Sequence, residues 1–145
     1  MLRRTVALFA LALLAVTWRL WTPQRLFPQI PLSSWAGGLP RAVDWADFAA
    51  MVAALSAILA APRSSRCWRI ASALFIGAFA ASVLVDQHRL QPWAYQFAIV
   101  LAVLALLPDR RGLTLLRVLT IGIYVHSALS KLDVSFFQTH GQYLV

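Results

Sequence analysis

Length, composition and charge define the class of this protein. The chain has 145 residues, which is enough for one domain. Hydrophobic residues make up 61% of it and charged residues 12%, against about 25% charged in an ordinary soluble domain. A soluble chain of this size could not bury so much apolar surface. The composition therefore predicts an integral membrane protein and excludes a soluble enzyme, a disulfide-stapled secreted domain and a disordered tail.

The charged residues point to a lipid bilayer as partner. The net charge of +8 comes from 12 Arg and one Lys against five Asp. Most of the cations are clustered between apolar runs, as in loops that face an anionic cytoplasmic leaflet, so nucleic acid is not a predicted partner. The single Cys67 excludes an intramolecular disulfide, a CxxC redox pair and a cysteine metal cage.

Five apolar runs follow one another along the chain. They predict a single all-α domain over residues 1–145, a bundle of about five transmembrane helices, since only helices satisfy the backbone inside lipid. The expected spans are residues 5–21, 44–61, 70–85, 92–107 and 113–132.

The first run begins after two arginines and resembles the core of a signal peptide. Bulky residues, including Trp18 and Trp21, follow it where a signal peptidase needs small ones. We therefore expect an uncleaved, signal-anchor-like helix, with both tryptophans in an interfacial belt. Residues 22–43 are rich in Pro and Gly and predict a loop on the membrane surface.

Polar residues mark the ends of the second and third spans. Asp44 and Asp47 open the second span, where acidic side chains cap free amides and suit the positive end of the helix dipole. Residues 86–89 separate the third span from the fourth. They fit either a solvated turn that Asp86 begins, or a polar site that contains Asp86 and His88. A stripe of small residues on the third span predicts close helix packing; it consists of Ala73, Gly77 and Ala81.

The distribution of arginines predicts the orientation. With the N-terminus inside, the inner segments hold seven arginines (residues 3, 4, 63, 66, 69, 110 and 111), and the outer loops hold three (residues 25, 41 and 89). The positive-inside rule then places the N-terminus in the cytoplasm and the C-terminus in the periplasm.

The fifth span has an unusually polar face. One row contains Arg117, Thr120, Tyr124, Ser127 and Lys131, and a second row beside it contains His126, Ser130 and Asp133. Spacings of three and four residues place each row on one side of a helix. Because polar groups are costly in lipid, this face is either a set of interhelical hydrogen bonds or a polar site.

Three scattered histidines give no metal signature, and no nucleophile elbow, P-loop or dinucleotide fingerprint is present, so no catalytic residue is predicted.

Residues 121–143 carry a family resemblance. The predicted helix ends in a small residue, two further residues and Lys131-Leu132, and an aromatic residue and a Gly follow it. This pattern resembles the DoxX/MauE group of small membrane proteins. It is also similar to the membrane part of the vitamin K-dependent carboxylase-like (HTTM) family. The loop and helix start over residues 86–93 are similar to a segment in uncharacterised bacterial relatives.

The resemblance implies a four-helix membrane bundle, linked in some members to quinone or thiol–disulfide electron transfer. Ser130, Lys131 and Asp133 match the helix-end motif of the group. The chain ends shortly after this motif, where relatives continue, which implies a shortened or incomplete member. Carboxylase chemistry is not implied, because that family needs a large lumenal domain.

These observations lead to three hypotheses of function. The first is a bacterial inner-membrane protein of DoxX/MauE type, an accessory of a membrane redox partner protein without catalysis or a required cofactor of its own. The second is a structural membrane subunit that packs against a partner. The third is a quinone-binding protein or redox enzyme that uses the polar face of the fifth span.

Overall fold

The computed structural model describes residues 1–23, 28–62 and 65–130, and within these ranges it contains helices and no β-strand. The α-helices are α1 Leu2–Val16, α2 Trp18–Trp21, α3 Ala42–Ala60, α4 Cys67–Val85, α5 Pro92–Leu106 and α6 Asp109–Leu129. Two short 3-10 turns, Ala36–Gly38 and Gln87–Arg89, lie between them. The chain forms two compact units, residues 1–106 and residues 107–145.

The first unit is a helical bundle around one apolar core. α3 packs most extensively against α4 and also contacts α1, while α5 packs against α4 and α1. The core consists mainly of Ala7, Ala10, Leu14, Trp21, Met51, Ala54, Leu55, Ile58, Ala71, Phe75, Phe79, Ala94, Ala98 and Leu101. Alanines on α1 at three-residue spacing leave room for the larger side chains of its neighbours, which is how such a core fills its space.

Antiparallel neighbours give this bundle two chemically different ends. The first, here called the Asp44 end, contains α2, the start of α3, the turn after α4 and the start of α5. The second, the Arg3 end, contains the start of α1, the end of α3 and the start of α4. Hydrogen bonds from Leu32 N to Leu84 O (3.0 Å) and from Gln87 N to Ile30 O (2.9 Å) tie the Pro-rich segment to the Asp44 end.

Three of the helices are long and apolar enough to cross a membrane: α3 and α4, with 19 residues each, and α6, with 21. This fits a membrane protein. α1 and α5 have 15 residues each, a rise of about 22 Å against a hydrocarbon core of ~30 Å. The prediction of about five membrane-crossing helices is therefore not confirmed.

One packing prediction is wrong and a second is not confirmed. Trp21 is not in an interfacial belt, because its ring is buried against Phe79 and Trp93 and its indole N–H donates to Thr17 Oγ1. Close packing at the small-residue stripe of α4 is not seen at its middle position in the described part of the chain. Its Gly77 is exposed with no described atom close to it, and α4 buries Phe75 and other larger side chains instead.

The second unit contains α6, which begins at Asp109, four residues before the predicted span. The first turn of the helix therefore contains the basic residues Arg110 and Arg111. Pro108 precedes the helix as its N-cap residue, a place where a missing N–H carries no cost.

Candidate functional site

A buried ion pair forms the centre of the Asp44 end. Arg89 Nη2 lies 2.6 Å from Asp44 Oδ1, and the two side chains are 1% and 3% exposed. Removing two charges from water costs several kcal/mol per ion, and this cost is offset only by close pairing and further hydrogen bonds. An ion pair this well buried therefore depends on the surrounding fold to hold the two side chains together.

Helical register explains how Asp44 comes to lie inside. Asp44, Met51 and Ile58 follow one another at steps of seven residues, so all three lie on the face of α3 that is buried in the bundle. The prediction that Asp44 caps the helix is wrong: the N-cap residue is Arg41, with no side-chain cap. Asp44 does lie in the first turn, where the helix dipole favours a negative charge.

Two neighbouring segments complete the hydrogen bonds of the pair. Arg89 Nε donates to the backbone carbonyl of Leu20 (3.2 Å), and Gln29 Nε2 donates to both carboxylate oxygens of Asp44 (3.3 and 3.2 Å). Arg89 thus holds the end of α2, and Asp44 holds the Pro-rich segment. The end of α2, the Pro-rich segment, the start of α3 and the turn after α4 thus meet at one pair of charges.

A second carboxylate lies beside this pair. Asp47, one turn further along α3, interacts electrostatically with both Arg89 and Asp44. Its Oδ2 atom and Arg89 Nη1 are buried without a hydrogen-bond partner in the described part of the chain. Buried polar atoms without partners are rare, so this part of the site has unused hydrogen-bonding capacity.

Asp86, in the turn after α4, is a further carboxylate that accepts several hydrogen bonds. Asp86 is the C-cap residue of α4, and its Oδ1 accepts hydrogen bonds from His88 N (3.1 Å) and Ile30 N (3.4 Å). The same oxygen lies 2.9 Å from His88 Nδ1. A carboxylate on Nδ1 fixes the imidazole in the tautomer whose Nε2 accepts a hydrogen bond. The His88 side chain is 53% exposed, so its ring remains accessible.

A cavity of about 370 Å³ opens beside this turn. Most of its wall surface consists of apolar atoms. The residues that line it are Leu20, Thr22, Pro28, Gln29, Asp86, His88 and Gln91. This volume lies in the range of small-molecule sites, which combine apolar walls with a few polar groups. Leu20 and Gln29 also belong to the network of the ion pair, so Arg89 and Asp44 hold two positions of the cavity wall.

The structure brings only part of the predicted site residues together. Asp86 and His88 are in contact at the cavity. Tyr124, His126, Ser127 and Ser130 lie on or at the end of α6, in the other unit, and their side chains are exposed. Ser130 Oγ donates to the Ser127 carbonyl within its own helix. Lys131 and Asp133 lie outside the described residues.

The site residues that the sequence analysis missed are Arg89, Asp44 and Gln29. Arg89 belongs to the predicted solvated turn, and that interpretation is wrong for Asp86 and Arg89, which are both buried. The helical register of Asp44 with the core of α3 is the one signal in the sequence that points to its burial. Within the described ranges, no three His, Cys or Asp side chains cluster as ligands of a metal ion.

Comparisons with protein-family models, curated proteins and solved structures gave no match. The resemblance to the DoxX/MauE group and to the HTTM family therefore stays a prediction that rests on residues 86–93 and 121–143 alone.

Proposed function

We propose that this protein is a bacterial inner-membrane accessory of redox chemistry that binds the headgroup of a quinone-class molecule in the cavity at the Asp44 end. The observation that carries the proposal is the oriented imidazole of His88 on the wall of a mainly apolar cavity. The DoxX/MauE resemblance implies the same ligand class. No catalysis by the protein itself is part of the proposal.

The polar groups of the cavity suit a ligand that carries carbonyl or hydroxyl groups on an apolar ring. With Nδ1–H directed at Asp86, His88 Nε2 accepts a hydrogen bond from a quinol hydroxyl. The protonated ring donates one to a quinone carbonyl. The amide groups of Gln29 and Gln91 supply further donors and acceptors on the same wall.

A direct binding measurement tests this function. The purified protein in lipid nanodiscs is titrated with a short-chain ubiquinone, and binding is followed by isothermal titration calorimetry. We expect saturable binding that weakens about fivefold in His88→Ala, since one hydrogen bond between neutral groups contributes about 1 kcal/mol.

His126→Ala is the matched control, because it removes the histidine of the polar face of α6. We expect its affinity for ubiquinone to equal that of the wild type. Loss of binding in His126→Ala with retention in His88→Ala would move the site to α6. Absence of saturable ubiquinone binding would favour the structural membrane subunit that packs against a partner.

A further inference from the structure

The Arg3 end of the bundle is strongly basic. It carries four arginines from the starts of two helices, namely Arg3 and Arg4 of α1 and Arg66 and Arg69 at the start of α4. All three aspartates of residues 1–106 lie at the opposite end, in or next to the ion-pair network. The positive charge at the Arg3 end is therefore not balanced by any acidic side chain of this unit.

Part of this charge is fixed by the fold. Arg3 Nη2 donates to the carbonyls of Ala61 and Pro62 (3.0 and 2.9 Å), and Arg4 Nη2 donates to Ala61 (3.0 Å). These carbonyls belong to the C-cap residue of α3 and the residue after it. Cations at this end of a helix satisfy unpaired acceptors and suit the negative end of the helix dipole. The guanidinium of Arg3 also lies 4.8 Å from the ring centre of Trp68. Two guanidinium groups and an indole ring are thus held in place beside α4.

Arg66 and Arg69 have a different environment. Both are exposed, and in the described part of the chain neither side chain has a hydrogen bond or an ion pair. Arg69 lies 5.6 Å from the ring centre of Trp68, on the same indole as Arg3. The first turn of α4 adds the positive end of its dipole at this position. Their donors are available to an anion from outside the protein.

An apolar strip continues from these charges along α4. Arg66, Ile70 and Leu74 follow at four-residue steps and therefore lie on one face, and the two apolar side chains are each 61% exposed. This order matches the parts of a phospholipid. The cations correspond to its phosphate, the indole ring to the interfacial region, and the exposed aliphatic strip to an acyl chain. A free phosphate ion would use only the first of these three.

We propose that the basic cluster of Arg66, Trp68 and Arg69 binds the phosphodiester of an anionic phospholipid, whose acyl chain lies along Ile70 and Leu74. This proposal is independent of the proposed function, because it concerns the opposite end of the bundle. Phosphatidylcholine is zwitterionic, and the same arginines repel its choline group. It is therefore the reference lipid against which binding of an anionic phospholipid is compared.

Native mass spectrometry of the detergent-solubilised protein provides the test. The protein is titrated with short-chain phosphatidylglycerol or phosphatidylcholine, and the lipid adducts are counted. We expect phosphatidylglycerol to bind more tightly. In R66Q/R69Q its apparent dissociation constant should rise about 25-fold, because each arginine near an anionic surface contributes about fivefold.

Two variants control this test. R41Q removes one exposed arginine at the Asp44 end, and its affinity for phosphatidylglycerol should stay at the wild-type value. R66K/R69K keeps both charges and should retain most of the binding.

Three results would overturn the proposal. The first is equal binding of the two lipids, and the second is an unchanged affinity in R66Q/R69Q. The third is displacement of phosphatidylglycerol by millimolar inorganic phosphate, which would make the cluster a general phosphate site without a role for the apolar strip.

Discussion

The buried pair of Arg89 and Asp44 gives the sharpest prediction for stability. Arg89→Met removes the cation and keeps a long apolar side chain of similar reach. Asp44 then remains buried with Gln29 as its hydrogen-bond donor, at 3.2 and 3.3 Å. Breaking a buried pair in this way costs about 3–5 kcal/mol, because an uncompensated charge stays inside.

A double-mutant cycle separates the cost of the orphaned charge from the value of the pair. The variants are Arg89→Met, Asp44→Leu and the combination of both. Replacing both partners by apolar residues is often neutral, so we expect the double variant to regain most of the lost free energy of unfolding.

Unfolding in mixed micelles, titrated with dodecyl sulfate and followed by tryptophan fluorescence, measures this cycle. The six tryptophans of the chain report the transition, among them Trp93, whose ring packs against Trp21 and Phe97. Arg41→Met is the control, since it removes an exposed arginine at the same end, where a surface substitution changes stability by about 0.5 kcal/mol or less.

Two outcomes would refute this reasoning. If Arg89→Met costs no more than about 1 kcal/mol, the pair behaves as a solvated surface ion pair and is not buried in the membrane-embedded protein. If the double variant loses the full sum of both single variants, the two side chains act independently and do not form the pair.

Three further predictions concern the core, the orientation and the second unit. Trp21→Ala should cost about 3–5 kcal/mol of unfolding free energy by the same assay, whereas Trp35→Ala, at a 62% exposed position, should cost little; equal costs would contradict the buried position. A membrane-impermeant maleimide should label the exposed Cys67 in inside-out vesicles and not in spheroplasts, and labelling in spheroplasts would reverse the predicted orientation. With Cys67 replaced by Ser, a cysteine at Ser127 should react with a water-soluble reagent and one at Val125, about 160° away around the helix, only with a lipid-soluble one; reaction of both with the lipid-soluble reagent alone would show that the polar face does not exist.

Helix positions could be predicted where a local residue enforces them. Pro62 follows the end of α3 within two residues, and α5 begins at Pro92, so both ends are within one residue of the predicted spans. The starts of α4 and α6 lie three and four residues earlier than predicted. Hydropathy marks where apolar residues begin, and a helix continues into the basic residues before them because arginine is a good helix former.

The site was harder to predict because its residues have ordinary local explanations. An aspartate at the start of a helix suits the dipole, and an arginine in a turn suits solvent, so neither Asp44 nor Arg89 requires a partner when only its neighbours in sequence are considered. Their contact joins residues 45 positions apart and depends on how α3 packs beside the turn after α4. Asp86 and His88 could be predicted together, because their contact lies within a single turn of the chain.

The buried ion pair links the fold to the proposed ligand site. Such pairs contribute little net stability compared with apolar side chains of similar size, so stability alone does not explain this one. The pair does fix the positions of two other residues. Arg89 holds the carbonyl of Leu20 and Asp44 holds Gln29. Leu20 and Gln29 both line the cavity. The variant with both Arg89→Met and Asp44→Leu should therefore unfold near the wild-type dodecyl sulfate concentration and still bind ubiquinone more weakly. Wild-type ubiquinone affinity in this stable variant would show that the pair does not shape the cavity.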